Sequence, residues 1–194
     1  YDCQQMRKRV EDLIAPALKD REIKLGRGGL RDVEFTVQML QLVHGRTDET
    51  LRASATLESL RRLSEGGYVS RKQAAKLARD YSFERVMEHR QQMWALKRTH
   101  LFPDLGDGSV GGLEKKRDVN VEKLSQNPEL RRLARAFGLH VEELVAKYDE
   151  TRREVRRLHM DIYYRPMLPI AALNGEDFSL APQVAYERFA SIGF

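Results

Sequence analysis

Thirteen consecutive residues carry the densest chemistry in the chain: Ile23, Lys24, Leu25, Gly26, Arg27, Gly28, Gly29, Leu30, Arg31, Asp32, Val33, Glu34 and Phe35. Three cations, Lys24, Arg27 and Arg31, surround three glycines. Gly26, Gly28 and Gly29 permit positive φ and close approach of the backbone to another group. A helix beginning at about Leu30 leaves its first N–H groups pointing back at the loop. The chemistry written here is the binding of an anion, a phosphate foremost. The spacing is neither that of a P-loop nor that of a dinucleotide fingerprint. The residues alone therefore leave two readings open, an anion site and a glycine turn between two elements.

The helix that must position this loop has ordered polarity. At about 100° per residue, Arg31, Glu34, Gln38 and Gln41 fall on one narrow stripe, flanked by Leu30, Val33, Val37 and Leu40 on one side and by Phe35, Met39 and Leu42 on the other. So apolar a helix is central, and its stripe reads as a polar wall facing a cleft or partner domain. Before it, Met6, Val10, Leu13, Ile14 and Leu18 repeat at helical spacing until Pro16 ends or kinks the helix near Ala15. Gly45 closes the central helix. A third helix is expected from about Thr50 to Ser64, stopped by Gly66 and Gly67, and Ser70 with Gln73 forms a capping box opening a long helix to about Thr99. Its Tyr81, Phe83 and Trp94 read as core residues. His89 and His100 lack the spacing of a metal pair and read as structural or surface histidines.

Further on, the glycine-rich stretch between Pro103 and Asp118 reads as an exposed, mobile loop. Asn127 and Pro128 open a short helix that Gly138 ends. From about His140 to Arg165, Val141, Leu144, Tyr148, Thr151, Val155, Leu158 and Ile162 make a bundle seam, with Arg152, Arg153, Arg156 and Arg157 on a solvated outer face. The fold class is all-α, a helical bundle with two long helices and no significant sheet. Residues 1–22 form a leading helix, 23–177 the bundle with its glycine loop at 26–29 and a flexible insertion at about 103–126, and 178–194 a linker helix toward a following domain.

The run from Ile23 to Arg46 resembles the signature of the bifunctional glutamine synthetase adenylyltransferase/deadenylylase family, in the helical domain that follows its first, adenylyl-removing nucleotidyltransferase domain. A looser relative of the motif occurs in the protein-PII uridylyltransferases. Glu88-His89-Arg90, Arg98 to Leu101 with Pro103, and Arg156 to His159 with Tyr164-Arg165-Pro166 resemble later stretches of the same domain, so the likeness covers nearly the whole chain. The resemblance implies a parent enzyme that removes AMP from a tyrosine of glutamine synthetase by phosphorolysis while its other half attaches AMP from ATP, under control of PII protein and glutamine. It implies Mg²⁺ and ATP or AMP as the parent's cofactors, none bound by this chain alone, and adjoining nucleotidyltransferase domains, glutamine synthetase and PII as partners. In that family the metal carboxylates sit in a Gly-Ser followed by Asp-x-Asp, on a sheet. No Asp-x-Asp occurs here, so the chain alone is expected to be non-catalytic and to hold no metal. The resemblance places Lys24, Gly26, Arg27, Gly28, Gly29 and Arg31 as the phosphate- or nucleotide-binding residues, with Glu34 and Gln38 orienting them and Asp32 favouring the helix dipole. The alternative is a regulatory docking module for PII or glutamine synthetase, marked by an exposed apolar or basic patch on the later helices.

Composition agrees with a piece of a larger cytoplasmic protein. The 194 residues fit one domain, and a charged fraction of 32% with few Gly and Pro suits a helical protein with solvated faces. The formal charge of +5 comes from cations interspersed with acids along nearly every helix, without a recognition motif, which argues against nucleic acid. Cys3 alone excludes an internal disulfide framework and fits a reducing compartment. No apolar run reaches about 18 residues, so no membrane span is expected, and an opening on Tyr1 reads as an excised piece.

Overall fold

The computed structural model describes residues 2–106, 109–110, 113 and 118–164. These fold into α1 (Asp2–Asp12), α2 (Leu30–His44), α3 (Thr56–Glu65), α4 (Arg71–Ala95), α5 (Val121–Ser125), α6 (Pro128–Phe137) and α7 (Val141–His159), with a π-helical turn at Met160–Tyr164. The all-α expectation holds. Among the described residues the only ladder joins β1 (Ser109–Val110) to β2 (Asp118–Val119), two residues each and antiparallel. The expectations for 165–194, the linker helix at 178–194 among them, and for Gly108, Gly111 and Gly112 fall outside the described residues.

Local chemistry accounts for most boundaries. Gln73 N donates to Ser70 Oγ at 3.2 Å and the Ser70 hydroxyl reaches Gln73 Oε1 at 2.9 Å, so the capping box opens α4. Asn127 Oδ1 accepts from the N–H groups of Glu129 and Leu130, with Pro128 at the first helical position of α6. Gly138 ends α6 at φ 66°.

The chain divides into two compact units, residues 1–32 with 80–157, and 33–79 with 158–194. In the first, Ile23, Met87, Phe102, Leu105, Leu124, Leu130, Leu133, Val145 and Tyr148 share one core, and Phe102 stacks on Tyr148 with ring centroids 4.0 Å apart. Burial of Phe102, Pro103, Leu105 and Leu124 ties both ends of the 103–126 stretch into that core, and α5 lies within it, so the stretch is more than a solvated loop. In the second unit, Val33, Val37, Leu51, Leu60, Leu63, Val69 and Leu77 are buried. Gln41 Nε2 reaches the carbonyls of Leu51 at 2.7 Å and Ala53 at 2.8 Å, pinning the connection before α3. His159 is fully buried, with Nδ1 2.8 Å from Thr36 Oγ1 and its ring stacked on Tyr163.

Four expectations change. Among the described residues of α1, Arg7 and Glu11 are buried, while Met6 and, just past the helix, Leu13 are exposed, because charged groups across the fold solvate the buried face. The third helix starts only at Thr56, after a 3₁₀ turn at Glu49–Leu51 capped by Asp48. The long helix stops at Ala95 and Trp94 is 59% exposed; helical spacing defines a face but not whether a neighbour covers it. Finally, Arg152 is 1% exposed and Arg156 mostly covered, for the reason developed next.

Candidate functional site

The glycine loop lies in the first unit, and its three glycines are accounted for by contact with the chain itself. A Cβ on Gly28, which has φ 71°, would sit 2.0 Å from the backbone oxygen of Arg152 on α7. On Gly26 it would meet the Glu22 carbonyl at 2.3 Å, and on Gly29 the Ile23 carbonyl at 2.3 Å. Only glycine fits where backbone packs on backbone this closely.

Arg152 is the clamp. Its guanidinium donates to the carbonyls of Arg27 at 3.2 Å, Asp20 at 2.6 Å and Lys19 at 3.0 Å. One charged group thus satisfies three backbone acceptors along the loop and its approach. The Tyr148 hydroxyl, one turn earlier, donates to Asp20 O at 3.3 Å. A helix face can be buried by charge when every donor finds an acceptor, which is why an arginine counted as solvated sits in the seam.

Asp32 is the second fastening. Fully buried, it accepts from Gly28 N at 2.7 Å through Oδ2 and from Arg7 Nε at 2.7 Å through Oδ1. Arg7 also donates to Gly26 O at 3.0 Å. Asp32 does more than favour a helix dipole: it ties the loop to α1. Glu11 joins the same network, pairing with Arg27 at 3.0 Å and Arg156 at 3.2 Å. Three guanidinium groups, Arg7, Arg27 and Arg156, therefore share two carboxylates.

The entering strand is held from the other side. Ile23 N donates to His100 O at 2.7 Å and Phe102 N to Arg21 O at 2.7 Å. Glu88, 2% exposed, gathers Lys24 at 3.5 Å, His100 Nδ1 at 2.9 Å and Arg85 at 2.6 Å. Deeper still, Glu84 is fully buried and neither carboxylate oxygen has a hydrogen-bond partner. Burial pushes its carboxyl well above the usual range; Arg152 opposes that, while Asp32, Asp80 and Glu88 reinforce it.

The predicted residues separate accordingly. Lys24, Gly26, Arg27, Gly28 and Gly29 come together, with the Arg27 side chain 51% and the Lys24 side chain 27% exposed. Arg31 opens α2 and is partly exposed, whereas Glu34, partly exposed, and Gln38, exposed, lie on the portion of α2 assigned to the second unit. The N–H groups expected to point at an anion are used internally: Gly29 N on Gly26 O, Leu30 N on Ile23 O, Arg31 N on Lys24 O and Asp32 N on Gly29 O. An anion here would be met by side chains rather than by a backbone cradle. Glu11, Asp32 and Glu88 are engaged by cations, Glu22 accepts from the backbone N–H groups of Lys24 and Leu25, and among the described residues no three potential ligands gather to hold a metal ion. Arg7, Glu11, Glu84, Glu88 and Arg152 were missed by sequence reasoning. The available signal was the spacing of Arg7 to Glu11 and of Tyr148 to Arg152, each one turn apart on one helix face, the second within the α7 seam.

No described helix is long and apolar enough to cross a membrane. A family model described as GlnD PII-uridylyltransferase matches residues 4–110. The chain is similar along its whole length to proteins named bifunctional glutamine synthetase adenylyltransferase/adenylyl-removing enzyme: 76% identical over 195 residues to that of Bifidobacterium longum, 46% over 195 to that of Cutibacterium acnes, and 39% over 201 to that of Corynebacterium diphtheriae. It spans 18% of the length of the first two and 17% of the third. With the family model covering more than half of it and the likeness running from end to end, the chain belongs to the glutamine synthetase adenylyltransferase family.

Proposed function

We propose that this chain is the helical domain that completes the nucleotidyltransferase cleft of a bifunctional adenylyltransferase/adenylyl-removing enzyme, and that its loop cations stabilise phosphate charge while AMP is removed from a tyrosine of glutamine synthetase. In that phosphorolysis an oxygen of inorganic phosphate bonds to the AMP phosphorus as the bond to the tyrosine oxygen breaks. The products are ADP and the tyrosine hydroxyl, and negative charge is shared among the phosphoryl oxygens along the way. Magnesium chemistry falls to carboxylates outside this chain, and the chain alone is non-catalytic.

One observation carries the reading: the loop backbone is immobilised while its cationic side chains stay partly exposed. Arg152, Asp32 and Arg7 lock the loop while Arg27 stays half-exposed. Around the loop three guanidinium groups share Glu11 and Asp32, and Lys24 and Arg85 share Glu88. Donors already fixed before charge develops stabilise a transition state without reorganising. Control of the two activities by PII and glutamine belongs to the same proposal.

The test is made in the full-length enzyme with Arg27→Ala and Arg31→Ala. Removing a preorganised donor lowers the rate by about a hundred to a thousandfold, so AMP removal should fall by that order while adenylylation changes far less. Arg157→Ala, on an exposed pair with Glu154, is the near-silent control. Unchanged deadenylylation kinetics in both well-folded loop variants would return the loop to a structural turn.

A further inference from the structure

The end of α4 and the residue after it leave apolar side chains largely exposed among the described residues. Met93 is 76%, Trp94 59% and Leu96 91% exposed. Leu96 also has φ 49°, a left-handed conformation that favours glycine or asparagine at a helix end. Neither burial nor backbone preference selects leucine at that position. A cluster of this kind on a folded domain marks an interaction surface.

Its rim is basic. Arg132 of α6 lies over the Trp94 ring at 3.3 Å and Arg90 over Phe137 at 4.3 Å, while Lys97 and Arg98 follow directly in the chain and are exposed. From His89 to Pro103 there is no acidic residue, and α6 holds three arginines against Glu129 alone. Tryptophan, methionine and arginine together are the side chains that anchor protein interfaces. Nucleic acid fits less well: Met93 and Leu96 offer no ring for a base, and Arg132 already occupies a face of the Trp94 ring.

We infer that the α4 end is a docking surface for an acidic, apolar-centred face of another domain of the same polypeptide. The chain makes up 18% of the Bifidobacterium longum relative, so most of such a polypeptide lies outside it. Charge complementarity fixes the sign of the partner face, and Trp94 with Met93 supplies the apolar anchor. This inference is independent of the loop cations and stands or falls separately from them.

Hydroxyl-radical footprinting of the full-length protein, with no partner added, reads the side chains directly. Rates at Met93 and Trp94 are normalised to the same residues in the urea-unfolded protein. The expected result is protection by about tenfold or more in low salt, reduced severalfold by Lys97→Glu with Arg98→Glu as their attraction becomes repulsion. Circular dichroism of the double variant checks that its helices persist. Folded rates within about twofold of the unfolded ones would overturn the inference. So would protection indifferent to charge reversal, since the covering face would then not be acidic. Protection that requires added RNA, or added glutamine synthetase, would assign the surface to a separate partner and equally overturn it.

Discussion

Three of the four described glycines with a left-handed backbone differ only in their surroundings: Gly28 at φ 71°, Gly67 at φ 77° and Gly138 at φ 66°. Alanine at any of them pays the left-handed penalty, about 1–2 kcal/mol. At Gly67 and Gly138 nothing lies within 4 Å of the added Cβ, so that is the whole expected effect. At Gly28 the Cβ would lie 2.0 Å from Arg152 O, 2.7 Å from its carbonyl carbon and 2.9 Å from its Cα, all backbone atoms of α7. Relief requires the loop and α7 to part by about an ångström, and overpacking of this kind adds about 1–3 kcal/mol. The same movement stretches the Arg152 bond to Arg27 O, already 3.2 Å, and the 2.7 Å bond from Gly28 N to Asp32. A hydrogen bond to a charged group contributes about 1.5–3 kcal/mol. Gly28→Ala should therefore destabilise its region by about 4 kcal/mol or more, against about 1–2 at the other two sites. Native-state hydrogen exchange reads this locally, since tenfold in exchange corresponds to about 1.4 kcal/mol. Amides around each substituted turn should exchange about five- to thirtyfold faster in Gly67→Ala and Gly138→Ala, and about a thousandfold faster around Gly28 and the facing turn of α7. Equal acceleration at all three would refute the close packing of loop on helix.

Two further outcomes follow from the buried charges. Arg152→Ala strips three backbone carbonyls of a charged donor and should lower stability by about 3 kcal/mol, while Arg157→Ala stays within about 0.5 kcal/mol; urea-dependent proteolysis of the two variants separates them. Glu84 has its folded carboxyl raised above the ordinary value of 4.5, so the native state holds a proton that the unfolded state releases above that pH. The stability this contributes is fully present below about pH 4.5 and is lost as pH rises toward the folded value. Glu84→Gln, which does not titrate, should gain on the wild type with increasing pH above that point, and parallel pH profiles of the two denaturation curves would contradict it.

Much of this architecture is legible in the chain because it depends on neighbours within a few residues. Ser70 with Gln73, Asn127 with Pro128, and Gly138 each act on the backbone next to them, and their helix ends appear where local chemistry puts them. The seam of Val141, Leu144, Tyr148, Thr151, Val155 and Leu158 is likewise buried as its spacing requires, with Ile162 at its end only half-buried. The concentration of Lys24, Arg27, Arg31 and three glycines is also a property of the sequence. What those glycines touch is not, because the group that demands the missing Cβ at Gly28 is the backbone of Arg152, more than a hundred residues away. The same holds for Arg7, Glu11, Arg152 and Arg156, whose types predict water until the fold supplies a carbonyl or carboxylate for each arginine and guanidinium donors for Glu11. Trp94 errs in the opposite direction, since an aromatic in an amphipathic helix is buried only if a neighbour extends that far. Periodicity and capping are short-range and survive in one dimension; the pairing of charges and the covering of faces are decided where distant segments meet, and only tertiary structure determines them.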